Sequence, residues 1–221
     1  MQYRFEMAVD LSVPLSNDMP VYPGDPSPLF RRVKTLANDG VNITSMTLGS
    51  HTGTHLDAPL HFIEGGRSVD RIPVGSFAAE GTVVDVSRLE AGSGVTVEDL
   101  GGQLKSSCEG RVIIVYTGCS ERWGDSSLNS NYTYLTDEAA EFLVGSRARG
   151  VGIDFLSVEK FGAAQPSVHR TLLGAGLFII ESLNSRVKEF VGRRFLLVAA
   201  PLRLANGDAA PCRALAVPIT D

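Results

Sequence analysis

Apolar and polar residues alternate from Met7 to Leu15 and again from Val41 to Leu48, the period-2 pattern of half-buried strands. The runs Gly81 to Val86, Arg111 to Thr117, Gly150 to Phe155, Leu177 to Ser182 and Phe195 to Leu202 are short and strongly apolar, which predicts buried strands. Cys212 to Ile219 reads as a closing strand. The clearest helix starts after Thr136, an N-cap residue followed by Asp137 and Glu138, with Ala139, Phe142 and Leu143 as its apolar stripe. Val97 to Leu104 reads as a weaker helix capped by Thr96, and Ser167 to Leu173 as a helical turn. Pro20 to Pro28 holds four prolines and a glycine and predicts an ordered loop. The polar span Asp125 to Tyr134 predicts a surface loop. Hairpin-like stretches mixed with strand–helix–strand alternation point to an α/β or α+β fold with a mixed sheet.

At 221 residues and 43% hydrophobic content, the chain suits one domain, spanning 1–221, with a full core. The net charge of -5 gives no electrostatic reason to bind nucleic acid or an anionic membrane. No apolar stretch reaches the roughly 18 residues that a membrane span needs. The N-terminus lacks the regions of a signal peptide, so a cytoplasmic location is expected. Cys108, Cys119 and Cys212 are odd in number and far apart, which excludes a disulfide framework. Cys119 reads as a small residue at the edge of the core. A single Trp argues against a stacking platform for single-stranded nucleic acid.

The chain has four histidines, and three of them, His51, His55 and His61, lie within eleven residues, with Asp57 between. Imidazole and carboxylate are the usual nitrogen and oxygen ligands of zinc and similar ions. The pair His51 and His55 has helical spacing, but Thr52, Gly53 and Thr54 are poor helix formers and Pro59 breaks a helix that includes Asp57. A strand-to-loop turn is expected, with Gly53 allowing a tight fold and Thr52 and Thr54 orienting the ligands. Downstream, Glu181 sits inside a buried apolar run, which is costly unless it binds a metal or pairs with a base such as Arg170. Asp154 poses the same question and reads as a structural acid. His169 is the fourth histidine.

The string His51-Thr-Gly-Thr-His55-Leu-Asp57-Ala-Pro-Leu-His61 resembles the HxGTHxDxPxH signature of the cyclase family, which contains bacterial kynurenine formamidases and isatin hydrolases. Val21-Tyr-Pro-Gly-Asp25, Gly152 to Ser157, His169-Arg170, Ile180-Glu181 and Ala210 to Arg213 fit further blocks of that family. The resemblance implies that His51, His55 and Asp57 hold a first ion. Asp57 would bridge to a second ion held by His169 and Glu181, and His61 would transfer protons. It implies Zn2+ (two ions) or Mn2+, a swivelling β/β/α fold, and a homo-oligomer (dimer or tetramer) in which loops of a neighbouring subunit often help to build the pocket.

The activity so implied is hydrolysis of a C–N bond in a small-molecule amide, formamide or lactam, of the arylformamidase type found in tryptophan catabolism. A divalent ion lowers the pKa of its water from about 15.7 to about 7, and a histidine beside it can carry the proton to a poor amine leaving group. Tyr22 and Phe62 are candidate substrate contacts, and Asp25 reads as a loop-capping acid. An isatin hydrolase-like or other cyclic amide or lactone hydrolase is the near alternative, and a non-catalytic metal- or ligand-binding protein the distant one.

Overall fold

The structure is a computed structural model, and the residues described are 2–104 and 108–220. Its strands are β1 (Gln2–Tyr3), β2 (Val9–Asp10), β3 (Leu29–Lys34), β4 (Ile43–Thr47), β5 (His55–Asp57), β6 (Ala78–Asp85), β7 (Gly94–Val95), β8 (Val112–Tyr116), β9 (Tyr134–Leu135), β10 (Gly150–Ile153), β11 (Phe178–Glu181), β12 (Phe195–Pro201) and β13 (Ala209–Thr220). The helices are α1 (Leu36–Asp39), α2 (Val97–Gly101), α3 (Asp137–Gly145) and α4 (Ser167–Gly174).

The apolar runs β6, β8, β10 and β11 pair in parallel, as expected of strands buried on both faces. Alternation along β8 sends Val112, Ile114 and Tyr116 to one core and Ile113 and Val115 to another. The sheet runs β1-β13-β12-β6-β8-β10-β11-β5, and β13 pairs with β5 as well, so the sheet closes on itself like a barrel. One core fills the interior of this ring. The second lies outside it, under α2, α3 and α4. The mixed α/β fold with a mixed sheet agrees with the sequence expectation.

Two glycines make the tight wall possible. Gly81 faces Phe195 across β6 and β12, and Gly150 faces Phe178 across β10 and β11. A Cβ at either would run into the aromatic ring opposite. Gly81→Ala is therefore expected to destabilise the fold by about 1–3 kcal/mol, the usual range for overpacking. Chemical denaturation measures this, and an unchanged midpoint would contradict the packing described.

Some expectations need correction. The strand predicted from Met7 to Leu15 is reduced to Val9–Asp10, preceded by a 3₁₀ turn at Phe5–Met7. Side chains replace its ladder: Asn184 Nδ2 donates to the carbonyls of Asp10 and Ser12, and the Ser12 hydroxyl bonds both backbone groups of Ala214. The Val41 to Leu48 strand is β4, but it pairs with β3 in a separate hairpin whose residues are largely exposed. The span Asp125 to Tyr134 is not all surface. Leu128 and Tyr132 are buried in a third, small cluster with Phe155 and Leu156.

Candidate active site

Period-2 alternation along β5 turns Leu56 into the barrel core and His55 and Asp57 to its outer face. The antiparallel register sets Glu181 of β11 opposite His55 and Ile179 opposite Asp57. Two carboxylates and an imidazole thus share one patch of sheet. His51 joins them from the turn before β5. That turn needs Gly53, whose φ is +65° and whose missing Cβ leaves room for Leu15 and Met19. The expected roles of Thr52 and Thr54 are not seen: the Thr54 hydroxyl accepts from Val13 N (2.9 Å) and donates to Ser182 O (2.6 Å), so it ties the turn to its neighbours and touches no ligand. Thr52 is buried, with its amide on Gly49 O. His61 follows in a 3₁₀ turn that begins at Pro59. His169 enters from the first turn of α4, where Glu159 accepts both its backbone N–H (3.2 Å) and, at 3.3 Å, faces its Nδ1.

Each of three imidazoles points one nitrogen at the shared carboxylates and the other at an acceptor. His51 Nδ1 lies 3.0 Å from Asp57 Oδ1, and its Nε2 lies 3.0 Å from Asp208 Oδ2. His55 Nε2 lies 3.3 Å from Asp57 Oδ1 and 3.5 Å from Glu181 Oε2, while its Nδ1 meets Gly53 O at 2.8 Å. His169 Nε2 lies 3.3 Å from Glu181 Oε1 and 3.8 Å from Asp57 Oδ2, with Glu159 behind Nδ1. Such outer acceptors fix the tautomer of metal-binding histidines.

The cluster is buried and strongly polarised. Burial alone would raise the carboxyl of Asp57, but His55 and His51 hold it well below its usual range. Burial opposes a charge on His55, yet Asp57 and Glu181 push it well up, and Glu159 and Glu181 likewise push His169 up to about 10. His61 differs: burial lowers it, and the charges of His51 and His169 offset the upward pull of Asp57 and Glu181. Both oxygens of Asp57 and Nε2 of His55 are buried and have no hydrogen-bond partner of acceptable geometry among the described residues. Polar atoms orphaned in this way are costly unless something ligates them. Ligand atoms of His55, Asp57 and Glu181 lie within 4.8 Å of one another, as do those of His51, Asp57 and His61. A nitrogen and oxygen donor set of this kind suits a divalent cation, and the residues fit one.

The cluster forms the floor of a cavity of ≈ 300 Å³. Tyr22 and Phe62 line it, as do Asp25, Lys160 and Ser182. Phe62 packs against the rings of His61 (4.2 Å between centroids) and His169 (4.8 Å), and Tyr22 packs on Phe161. All eight residues singled out from the sequence therefore meet in one place. Glu181 does not pair with Arg170, which is exposed; its Oε1 accepts instead from Val158 N. Asp154 is a structural acid that takes hydrogen bonds from Thr117 and Ser120, although burial raises its carboxyl. Sequence reasoning missed Glu159 and Asp208, which local sequence does not distinguish from surface acids.

Residues 9–160 match the family model described as "Putative cyclase". The chain belongs to the cyclase family. Among curated relatives, it is 30% identical over 213 residues to the kynurenine formamidase of Bacillus thuringiensis (strain Al Hakam), covering 96% of this chain and 97% of the relative. Among solved structures it resembles isatin hydrolase A from Labrenzia aggregata bound to benzyl benzoate. The TM-score is 0.86 at 27% identity, covering 96% and 94% of the two chains. It also resembles a potential metal-dependent hydrolase with cyclase activity, with a TM-score of 0.80 at 31% identity and coverage of 97% and 98%. No helix among the described residues is long and apolar enough to cross a membrane.

Proposed function

We propose that this cyclase-family protein is a metal-dependent hydrolase of non-peptide C–N bonds, acting on an arylformamide of the kynurenine formamidase type. The buried, hydrogen-bond-orphaned carboxylate of Asp57 at the centre of the histidine cluster carries this reading. His51, His55 and Asp57 would hold a first divalent ion, and Asp57, His169 and Glu181 a second, with zinc or manganese as the metal. When bound, such ions supply a water of lowered pKa and a Lewis acid for the scissile carbonyl. The chain's own residues do the rest. Gly53 O, Asp208 and Glu159 orient the imidazoles from behind. His61, the most exposed of the four histidine side chains at 25%, accepts a proton and returns it to the leaving nitrogen. Tyr22 and Phe62 flank the aryl group. The likeness to isatin hydrolase A favours a lactam as the second reading.

The test is removal of metal with EDTA followed by restoration with zinc or manganese, while hydrolysis of N-formylkynurenine, isatin and simple formamides is followed. Activity is expected to disappear and return with the ion, and turnover that survives full metal removal would overturn the reading. The pH profile is a second check. A metal-bound water of lowered pKa and a neutral His61 are both lost by protonation, so kcat/KM is expected to fall as the pH drops, and His61→Ala is expected to change the shape of that acid limb. A kcat/KM that does not fall on acidification, or an acid limb that is identical in His61→Ala, would contradict His61 as the base.

The whole of 1–221 acts as one catalytic domain. A homo-oligomer is supported by the β3–β4 hairpin, whose Leu29, Val33, Ile43 and Met46 are exposed although a two-stranded hairpin is marginal alone. A cytoplasmic location is supported by Cys108, Cys119 and Cys212, which form no disulfide among the described residues.

A further inference from the structure

Asp208 precedes β13 at the point where the sheet closes on β5. Its backbone carbonyl accepts from Ala58 N (2.9 Å), and Ala209 stands opposite Asp57 in the ladder. The turn before it is tied down too: Gly207 O accepts from Val69 N, and Asp70 accepts from Asn206 N. The carboxylate is therefore built into the rim of the site, although its side chain is 41% exposed. One oxygen, Oδ2, lies 3.0 Å from His51 Nε2, 3.6 Å from His61 Nδ1 and 3.4 Å from the Ser50 hydroxyl. The rings of His51 and His61 are 4.1 Å apart.

We infer that Asp208 is a positioning residue shared by the metal ligand His51 and the proton carrier His61. This rests on the proposed hydrolase reading and adds to it a residue outside the family signature. Accepting from Nε2–H of His51 keeps the proton off Nδ1, whose lone pair then faces Asp57, where the ion would sit. The same negative charge beside Nδ1 of His61 favours a proton on that nitrogen, leaves Nε2 as the basic atom, and stabilises the imidazolium formed when a proton is taken. The 3.6 Å separation exceeds a direct hydrogen bond, so the action on His61 is electrostatic and the action on His51 is a hydrogen bond.

The two actions separate by substitution. Asp208→Ala removes both, and is expected to weaken divalent metal binding by about 10–100-fold, the usual effect of deleting an outer acceptor. At saturating metal its kcat is expected to fall at least about 10-fold with KM within about twofold, because the charge acts on proton transfer and not on substrate binding. Asp208→Asn keeps an acceptor without the charge. It is expected to restore metal affinity to within about threefold of the parent while kcat stays low. Zinc affinity of the apoprotein is read by competition with a chromophoric chelator, and kcat and KM by steady-state turnover of N-formylkynurenine. If the parent binds zinc but Asp208→Ala matches it in both affinity and kcat, the inference about Asp208 is wrong and the hydrolase reading stands. If Asp208→Asn loses affinity as fully as Asp208→Ala, a shared positioning role is also excluded. A parent chain that binds no ion sinks both.

Discussion

Asp57→Asn is expected to purify folded but without its divalent ion, and to lose about 10³-fold or more in kcat/KM, since the Lewis-acid contribution amounts to several kcal/mol and each 1.36 kcal/mol is tenfold. The substitution preserves shape, so β5 should still pair with β11 and β13. What it removes is the anion that three imidazoles face, His51 at 3.0 Å, His55 at 3.3 Å and His169 at 3.8 Å. Glu181 would then be the sole carboxylate on that patch of sheet, and a neutral amide is a poor bridge between two cations. Metal analysis and circular dichroism on the same preparation check this. A variant that keeps its full metal content and turns over within tenfold of the parent would show that Asp57 is not the bridging ligand.

His61→Ala should behave in the opposite way with respect to the ion. Metal content is expected to stay at the parent level while kcat falls by about 10²–10⁴-fold, the usual worth of a positioned acid–base group. His61 is lowered by burial and stands at the more exposed edge of the cluster, beside Phe62 and the cavity. Its ring also has ligand atoms within 4.8 Å of those of His51 and Asp57. Loss of an ion together with kcat would therefore convert it from proton carrier to ligand. Metal analysis against single-turnover hydrolysis separates the two outcomes.

The parts of this protein that could be read from sequence are those whose physics is local. β8, β10 and β11 are continuous apolar runs because they are buried on both faces, and Thr136 caps α3 by accepting from Ala139 N. His51, His55, Asp57 and His61 were legible because a short turn, β5 and the 3₁₀ turn after it carry all four within eleven residues. Elements with exposed residues were harder: β3 has no continuous apolar face, and the Met7 to Leu15 segment lost most of its ladder to Asn184 and Ser12. Asp208 was illegible for a different reason. It stands 157 residues from His51 and reaches it only because β13 folds back on β5 to close the barrel. No local pattern marks such a residue, whereas the pleat of β5 announces Asp57 from its own neighbours.

The most direct measurement is anomalous diffraction at the zinc and manganese edges from crystals grown with each metal. A peak in contact with Asp57 and at least two of His51, His55, His169 and Glu181 is the expected result. Crystals grown with each metal that diffract well and show no anomalous density at that carboxylate would contradict the account.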